Sequence, residues 1–128
     1  MKYGFIRTAA ATPFVKVADC KYNTDNIIAC INEAYGNNTE LIVFPELCIT
    51  GYTCGDLFSQ RRLISSAMEN ISRIKKATLN KNIITVIGFP FEYIGNLYNC
   101  AAVLYKGSVL AVVPKSFLPN YNEFYEMR

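Results

Sequence analysis

The sequence predicts an α/β domain, with a mixed sheet and flanking helices. Short apolar segments alternate with segments of helical periodicity along most of the chain, and two further apolar segments follow, one on either side of Lys106 and Gly107. The alternation predicts parallel strands joined by helices, and the last pair predicts an antiparallel hairpin. The chain has 128 residues, which is enough for one domain with a buried core. It contains no internal repeat or linker, so we expect a single domain over residues 1–128.

The first three predicted elements are a strand, a helix and a second strand. Their predicted bounds are 4–12 for the strand, 23–36 for the helix and 40–44 for the second strand. Pro13 ends the first strand, because proline removes a backbone donor and restricts the residue before it. Asn23 or Thr24 is expected to cap the helix, and Gly36 is expected to end it. One face of this helix carries Ile27, Ile28, Ile31 and Ala34.

The second half of the chain predicts a long helix, a strand and a hairpin. After a loop at 45–55, Asp56 is the expected cap of the helix. The residues that follow the three- and four-residue spacing of this helix are Leu57, Ile64, Met68, Ile71 and Lys75. Residues 82–89 predict a third strand that Pro90 closes, and residues 97–105 and 108–113 predict the hairpin.

Composition and charge exclude several classes of function. The net charge is only +3, and the basic pairs at 61–62 and 75–76 fall inside a helical pattern, so we expect no nucleic-acid partner. No apolar run is long enough to span a bilayer and the amino terminus lacks a secretory pattern, so we expect no membrane partner and a cytoplasmic location. The five cysteines form no CxxC pair and there is no histidine, which argues against a metal site or a disulfide framework.

Two charged residues, Glu46 and Lys115, are candidates for a site. Each follows an apolar strand that ends in proline, "LIVFP" before Glu46 and "VLAVVP" before Lys115. Strand ends of the same polarity in one sheet can bring an acid and a base into a common crevice. Each residue alone could equally be a solvated surface residue, so the pattern by itself leaves both interpretations open.

Several segments resemble known enzymes. "LIVFPELCITGY" and "VVPKSFLPNYNEFYEMR" resemble the segments that bear the catalytic glutamate and lysine of the nitrilase, or carbon-nitrogen hydrolase, superfamily. More narrowly, "GFIRTAAATPFVKVADCKYN", "GYTCGDLF" and "LPNYNEFYE" resemble the amino-terminal glutaminase domain of bacterial glutamine-dependent NAD synthetases. The resemblance implies the first part of a nitrilase-type four-layer α-β-β-α sandwich. It also implies a dimer or higher oligomer, because the incomplete sandwich would expose apolar surface.

The resemblance also implies roles for individual residues in a Glu-Lys-Cys triad. Glu46 would be the general base, Lys115 would stabilise the oxyanion, and Glu123 would be a second carboxylate that supports the lysine. Tyr121 matches a residue of the glutamine pocket, although an aromatic residue beside a proline can also simply cover an apolar edge. Amide hydrolysis needs a base for the nucleophile and donors for the developing oxyanion, and these residue types can supply both.

The triad's cysteine is the point where the sequence departs from the family pattern. In the family the nucleophile follows the lysine by several tens of residues, and no cysteine follows Lys115 here. Cys48 matches a variable apolar position, so we expect the 128 residues alone to be inactive.

The complete enzyme of this kind would hydrolyse glutamine without a cofactor. It would use the ammonia in a separate synthetase domain, which needs ATP and Mg and which this sequence does not contain. A fragment of another carbon-nitrogen hydrolase, acting on a different amide or nitrile, and a non-catalytic interaction module remain alternatives.

Overall fold

The computed structural model describes residues 4–116, and the side chains of all of these except Asp56 and Ser59. The elements in chain order are β1 (Thr8–Ala10), α1 (Cys20–Gly36), β2 (Leu41–Val43), a 3-10 helix (Gly55–Ser59), α2 (Arg61–Ala77), β3 (Ile84–Tyr93), β4 (Asn96–Tyr105) and β5 (Ser108–Pro114). The predicted order of strands and helices is confirmed. Within the described residues, no helix is both long and apolar enough to cross a membrane.

The strands form one mixed sheet of five in the order β1-β2-β3-β4-β5. β1, β2 and β3 are parallel, whereas β4 is antiparallel to both β3 and β5. β5 therefore runs in the same direction as β2 and β3, and the carboxyl ends of these strands lie at the same edge of the sheet. This topology confirms the predicted α/β class and the shared polarity of the strands that precede Glu46 and Lys115.

The core lies on one face of the sheet. α1 and α2 contact each other, so both cover the same face. The strand residues directed toward the helices are buried, among them Ile42, Ile87, Ala102 and Leu104. The opposite face carries Val43, Val86 and Val103 side by side in register and Val113 near them, and we call it the open face. Val43 is 40% exposed and Val113 is 54% exposed there.

Helix α1 begins earlier than predicted, and neither Asn23 nor Thr24 caps it. The cap is Asp19, whose carboxylate accepts a hydrogen bond from the Tyr22 N–H at 3.0 Å. Asn23 and Thr24 are instead buried within the first turns of the helix. The prediction was wrong because the polar side chain of Asn23 binds the backbone of two loops, and a sequence pattern does not distinguish this use from capping.

Helix α2 begins at Arg61, so the prediction that Asp56 caps it was wrong. Asp56 lies in the 3-10 helix Gly55–Ser59, and Gln60 separates the two helices with an extended backbone (φ −84°, ψ 124°). The apolar spacing of the 3-10 helix continues into α2, so periodicity alone could not separate them.

Strand β3 continues through Pro90 instead of ending there, and it turns at Ile94 and Gly95 directly into β4. Pro90 is tolerated because β2 ends at Val43, so this part of β3 pairs only with β4. The predicted turn at Lys106 and Gly107 is confirmed, with φ of 48° and 80°.

Candidate active site

Glu46 lies in a tight turn directly after β2. The Phe44 N–H donates to the Val86 carbonyl at 2.9 Å, and the chain then leaves the sheet. Leu47 has a positive φ of 51°, and the Gly51 N–H closes the turn on the Leu47 carbonyl at 2.8 Å. The residues after Glu46 are buried, whereas the Glu46 side chain is 39% exposed. The turn therefore anchors the backbone and presents the carboxylate at the surface.

This turn lies directly against Gly88 of β3. A Cβ placed on Gly88 would lie 2.8 Å from the Pro45 carbonyl oxygen and 2.9 Å from the Glu46 carbonyl carbon, and it would also collide with the Leu47 nitrogen. The position has the same strand parity as Val86, so the missing Cβ would point toward the open face. Only glycine allows the chain to cross β3 here. The crossing carries Glu46 from the end of β2 toward β4 and β5.

The same turn is also attached to α1. Asn23 is fully buried, and its side-chain amide donates to the Ile49 carbonyl at 2.8 Å and to the Lys16 carbonyl at 2.9 Å. Its side-chain oxygen accepts from the Lys16 N–H at 2.7 Å. One buried amide therefore joins the turn to the loop before α1. A buried network of this kind restricts motion because breaking it would leave polar groups unpaired.

Lys115 reaches Glu46 from the end of β5. Its backbone N–H donates to the Asn99 carbonyl at 2.8 Å, which extends the pairing of β4 and β5 by one residue. Its Nζ donates to Glu46 Oε1 at 2.6 Å. The two side chains are 31% and 39% exposed, so this ion pair contributes at most about 1 kcal/mol to the free energy of unfolding. Its significance is geometric, because it places an ammonium beside a carboxylate at the edge of the open face.

Asn99 of β4 also contacts this pair, and the sequence reasoning did not identify it. Its side-chain Nδ2 donates to Glu46 Oε1 at 2.7 Å. A polar residue within the apolar strand sequence "LYNCAAVLY" was the available signal. The predicted site residues Tyr121 and Glu123 lie outside the described residues. The structure thus brings Glu46 and Lys115 together and adds Asn99.

Cys48 is close to Glu46 in sequence but is unsuited to act as a nucleophile. It is 2% exposed and its thiol donates to the Gly88 carbonyl at 3.6 Å. Burial raises the pKa of the Cys48 thiol to about 12, so it holds almost no thiolate at neutral pH. Burial also raises the pKa of the other four cysteines, which are Cys20, Cys30, Cys54 and Cys100.

Comparison with known proteins places the chain in a family. The profile of the carbon-nitrogen hydrolase family matches residues 6–127, which is almost the whole chain. The chain belongs to the carbon-nitrogen hydrolase family. This match confirms the family membership that the segments around Glu46 and Lys115 predicted.

Relatives within the family agree with the narrower resemblance. The chain is 34% identical over 125 residues to a glutamine-dependent NAD(+) synthetase of Mycobacterium leprae, covering 98% of this chain and 18% of the relative. It is 36% identical over 129 residues to that of Acinetobacter baylyi, covering 100% of this chain and 23% of the relative. The chain therefore spans about a fifth of the length of these relatives.

Solved structures confirm the predicted nitrilase-type fold. A glutamine-dependent NAD(+) synthetase from Cytophaga hutchinsonii superposes with a TM-score of 0.88 at 34% identity, over 94% of this chain and 20% of that one. An amidase from Nesterenkonia sp. superposes with a TM-score of 0.78 at 23% identity, over 93% of this chain and 45% of that one. At that identity the amidase supports the fold alone.

Proposed function

We propose that the chain is part of a glutaminase domain that releases ammonia from glutamine for the synthesis of NAD. The observation that carries this proposal is the 2.6 Å contact between Lys115 Nζ and Glu46 Oε1. The two residues follow strands that are far apart in sequence, yet their side chains converge at one edge of the open face. Support for glutamine as the substrate comes from the glutamine-dependent NAD(+) synthetases, with identities of 34% and 36%.

In this proposal each site residue has a separate role. Glu46 accepts the proton of the attacking thiol, and Lys115 donates to the oxyanion that forms on the substrate carbonyl. Glu123 supports the charge of Lys115, and Tyr121 contacts the glutamine. The thiol would come from protein sequence beyond Lys115, as it does in the family pattern. Glutamine hydrolysis itself would need no cofactor, whereas ATP and Mg would serve a synthetase domain.

A chimera tests this function against hydrolysis of other amides. Residues 1–128 replace the matching segment of the Acinetobacter baylyi enzyme, to which they are 36% identical. We expect the chimera to release ammonia from glutamine and to hydrolyse butyramide much more slowly. NAD formation from added ammonium salt serves as the control that the remainder of the chimera is folded. If an intact chimera prefers butyramide, or leaves glutamine unchanged, the proposal is wrong.

We also propose that the 128-residue chain forms a dimer or higher oligomer through the open face. Val43 and Val113 expose apolar surface there, and association would bury it. Sedimentation velocity should show an oligomer that dissociates when both residues are changed to serine. Met68→Ser is the matched control, because Met68 is 37% exposed but lies on α2, on the other side of the sheet. A stable monomer that binds no hydrophobic dye would contradict this prediction.

A further inference from the structure

Asn99 contacts both members of the Glu46 and Lys115 pair with different atoms. Its side-chain Nδ2 donates to Glu46 Oε1 at 2.7 Å. Its backbone carbonyl accepts from the Lys115 N–H at 2.8 Å. Asn99 itself is fixed by the pairing of β4 with β3, where it lies opposite Pro90. A single residue on a rigid strand therefore determines where the carboxylate and the start of the lysine segment lie relative to each other.

The two donors converge on the same carboxylate oxygen. Lys115 Nζ and Asn99 Nδ2 both donate to Oε1 of Glu46, at 2.6 and 2.7 Å. Within residues 4–116, no hydrogen bond is made to Oε2 of this carboxylate. An oxygen that already accepts hydrogen bonds from two strong donors is a weaker proton acceptor than the other oxygen of the same carboxylate. The geometry thus distinguishes the two oxygens of one carboxylate.

We propose that Asn99 is a positioning residue that holds Oε1 together with Lys115 and so leaves Oε2 as the oxygen that accepts the proton. This inference rests on the proposed function for its chemistry. When the thiol sulfur bonds to the amide carbon, the S–H proton moves to Oε2. When the carbon–nitrogen bond breaks, the same proton passes from Oε2 to the leaving ammonia.

The chemistry of an asparagine suits this position. Its amide remains a neutral donor at every pH that the protein encounters, so it orients the carboxylate without adding charge to the ion pair. An aspartate of the same shape could only accept and would repel Glu46. A leucine has the same branching at Cγ but donates no hydrogen bond. These two substitutions therefore separate the hydrogen bond from the packing of the side chain.

The test uses NMR on the 128-residue chain, so it does not depend on whether the chain hydrolyses glutamine. The carboxyl ¹³C signal of Glu46 reports the hydrogen bonds to its oxygens, and ¹⁵N signals follow hydrogen exchange of the Lys115 ammonium. In Asn99→Leu we expect the Glu46 carboxyl signal to shift at neutral pH, because Oε1 loses the Asn99 donor. We also expect the Lys115 ammonium to exchange about tenfold faster, because the carboxylate that it binds is no longer held in place. Asn96→Leu is the control, because Asn96 is exposed on the same strand.

Each outcome of this test has a defined meaning. A shifted Glu46 carboxyl signal and faster Lys115 exchange in Asn99→Leu, with neither change in Asn96→Leu, support the positioning role. If Asn99→Leu fails to fold, Asn99→Asp is used, and we expect a shifted Glu46 carboxyl signal there as well. An unchanged Glu46 signal and unchanged Lys115 exchange in a folded Asn99 variant would overturn the inference. A failed chimera together with a shifted Glu46 signal would instead reject only the proposed function.

Discussion

The purified 128-residue chain is expected to release no ammonia from glutamine above the blank. The reason is the absence of a competent thiolate: all five cysteines precede Lys115 in sequence, and burial raises the pKa of each of them. Without a covalent step, Glu46 could only activate water against an unactivated amide. Removing the nucleophile from such a unit costs a factor on the order of 10⁶ in turnover. A coupled assay for ammonia with glutamine present measures the residual rate.

Three variants distinguish activity of the chain from contamination. Any ammonia release should be the same in the unaltered chain, in Cys48→Ala and in Cys30→Ala, because the activity would come from a contaminant. Release that survives purification and disappears only in Cys48→Ala would show that Cys48 is the nucleophile and that its burial does not persist in solution. Loss in Glu46→Ala alone would establish activity in this chain but leave the nucleophile unidentified.

Gly88→Ala is expected to cause the second large effect, through a single added methyl group. The new Cβ would lie against the backbone of Pro45, Glu46 and Leu47, where no flexible side chain can move aside. Inserting atoms into such a tight contact destabilises a protein by about 1–3 kcal/mol. We further expect the turn to move and the contact between Glu46 and Lys115 to lengthen. Urea unfolding measures the first effect, and NMR contacts between the two side chains measure the second.

Gly36→Ala is the matched control for this substitution. Gly36 is the last residue of α1, and a Cβ added there would meet nothing within 4 Å. Replacing a glycine by alanine at a helical position with free space stabilises a protein by about 0.4–1 kcal/mol. If Gly88→Ala proved as stable as Gly36→Ala and retained the ion pair, the turn could not cross β3 at Gly88.

The order of strands and helices could be predicted from sequence because the spacing of apolar residues changes from each element to the next. The hairpin turn at Lys106 and Gly107 was also predictable, since glycine at the second turn position is a strong local signal. Three local details were not. The burial of Asn23 within α1 and the passage of β3 through Pro90 depend on contacts with distant parts of the chain. The 3-10 helix before α2 shares the apolar spacing of α2, so the spacing does not separate the two helices. The intrinsic preference of a residue for helix or strand predicts little where tertiary contacts determine the local structure.

The candidate site was predictable in the same partial way. Glu46 and Lys115 could be found because each follows an apolar strand and a proline, and the parallel direction of β2 and β5 brings their ends to one edge. Asn99 and Gly88 could not be found in this way. Asn99 reaches Glu46 because β4 pairs with β5, and Gly88 is required because the turn after β2 crosses β3. The residues that adjoin Asn99 and Gly88 in sequence indicate neither arrangement.

The most direct test of the Glu46 and Lys115 site is the rate of ammonia release from glutamine by the Acinetobacter baylyi chimera when it carries Glu46→Gln. Loss of a general base lowers kcat/KM by about 10²–10⁴, and we expect a loss of this size. Asp25→Asn is the matched control, because Asp25 forms a surface ion pair with Arg73 at 2.5 Å that has no part in the proposed chemistry. Its effect on the rate should stay within roughly twofold. A Glu46→Gln chimera that releases ammonia as fast as the unaltered chimera would contradict the assignment of this site.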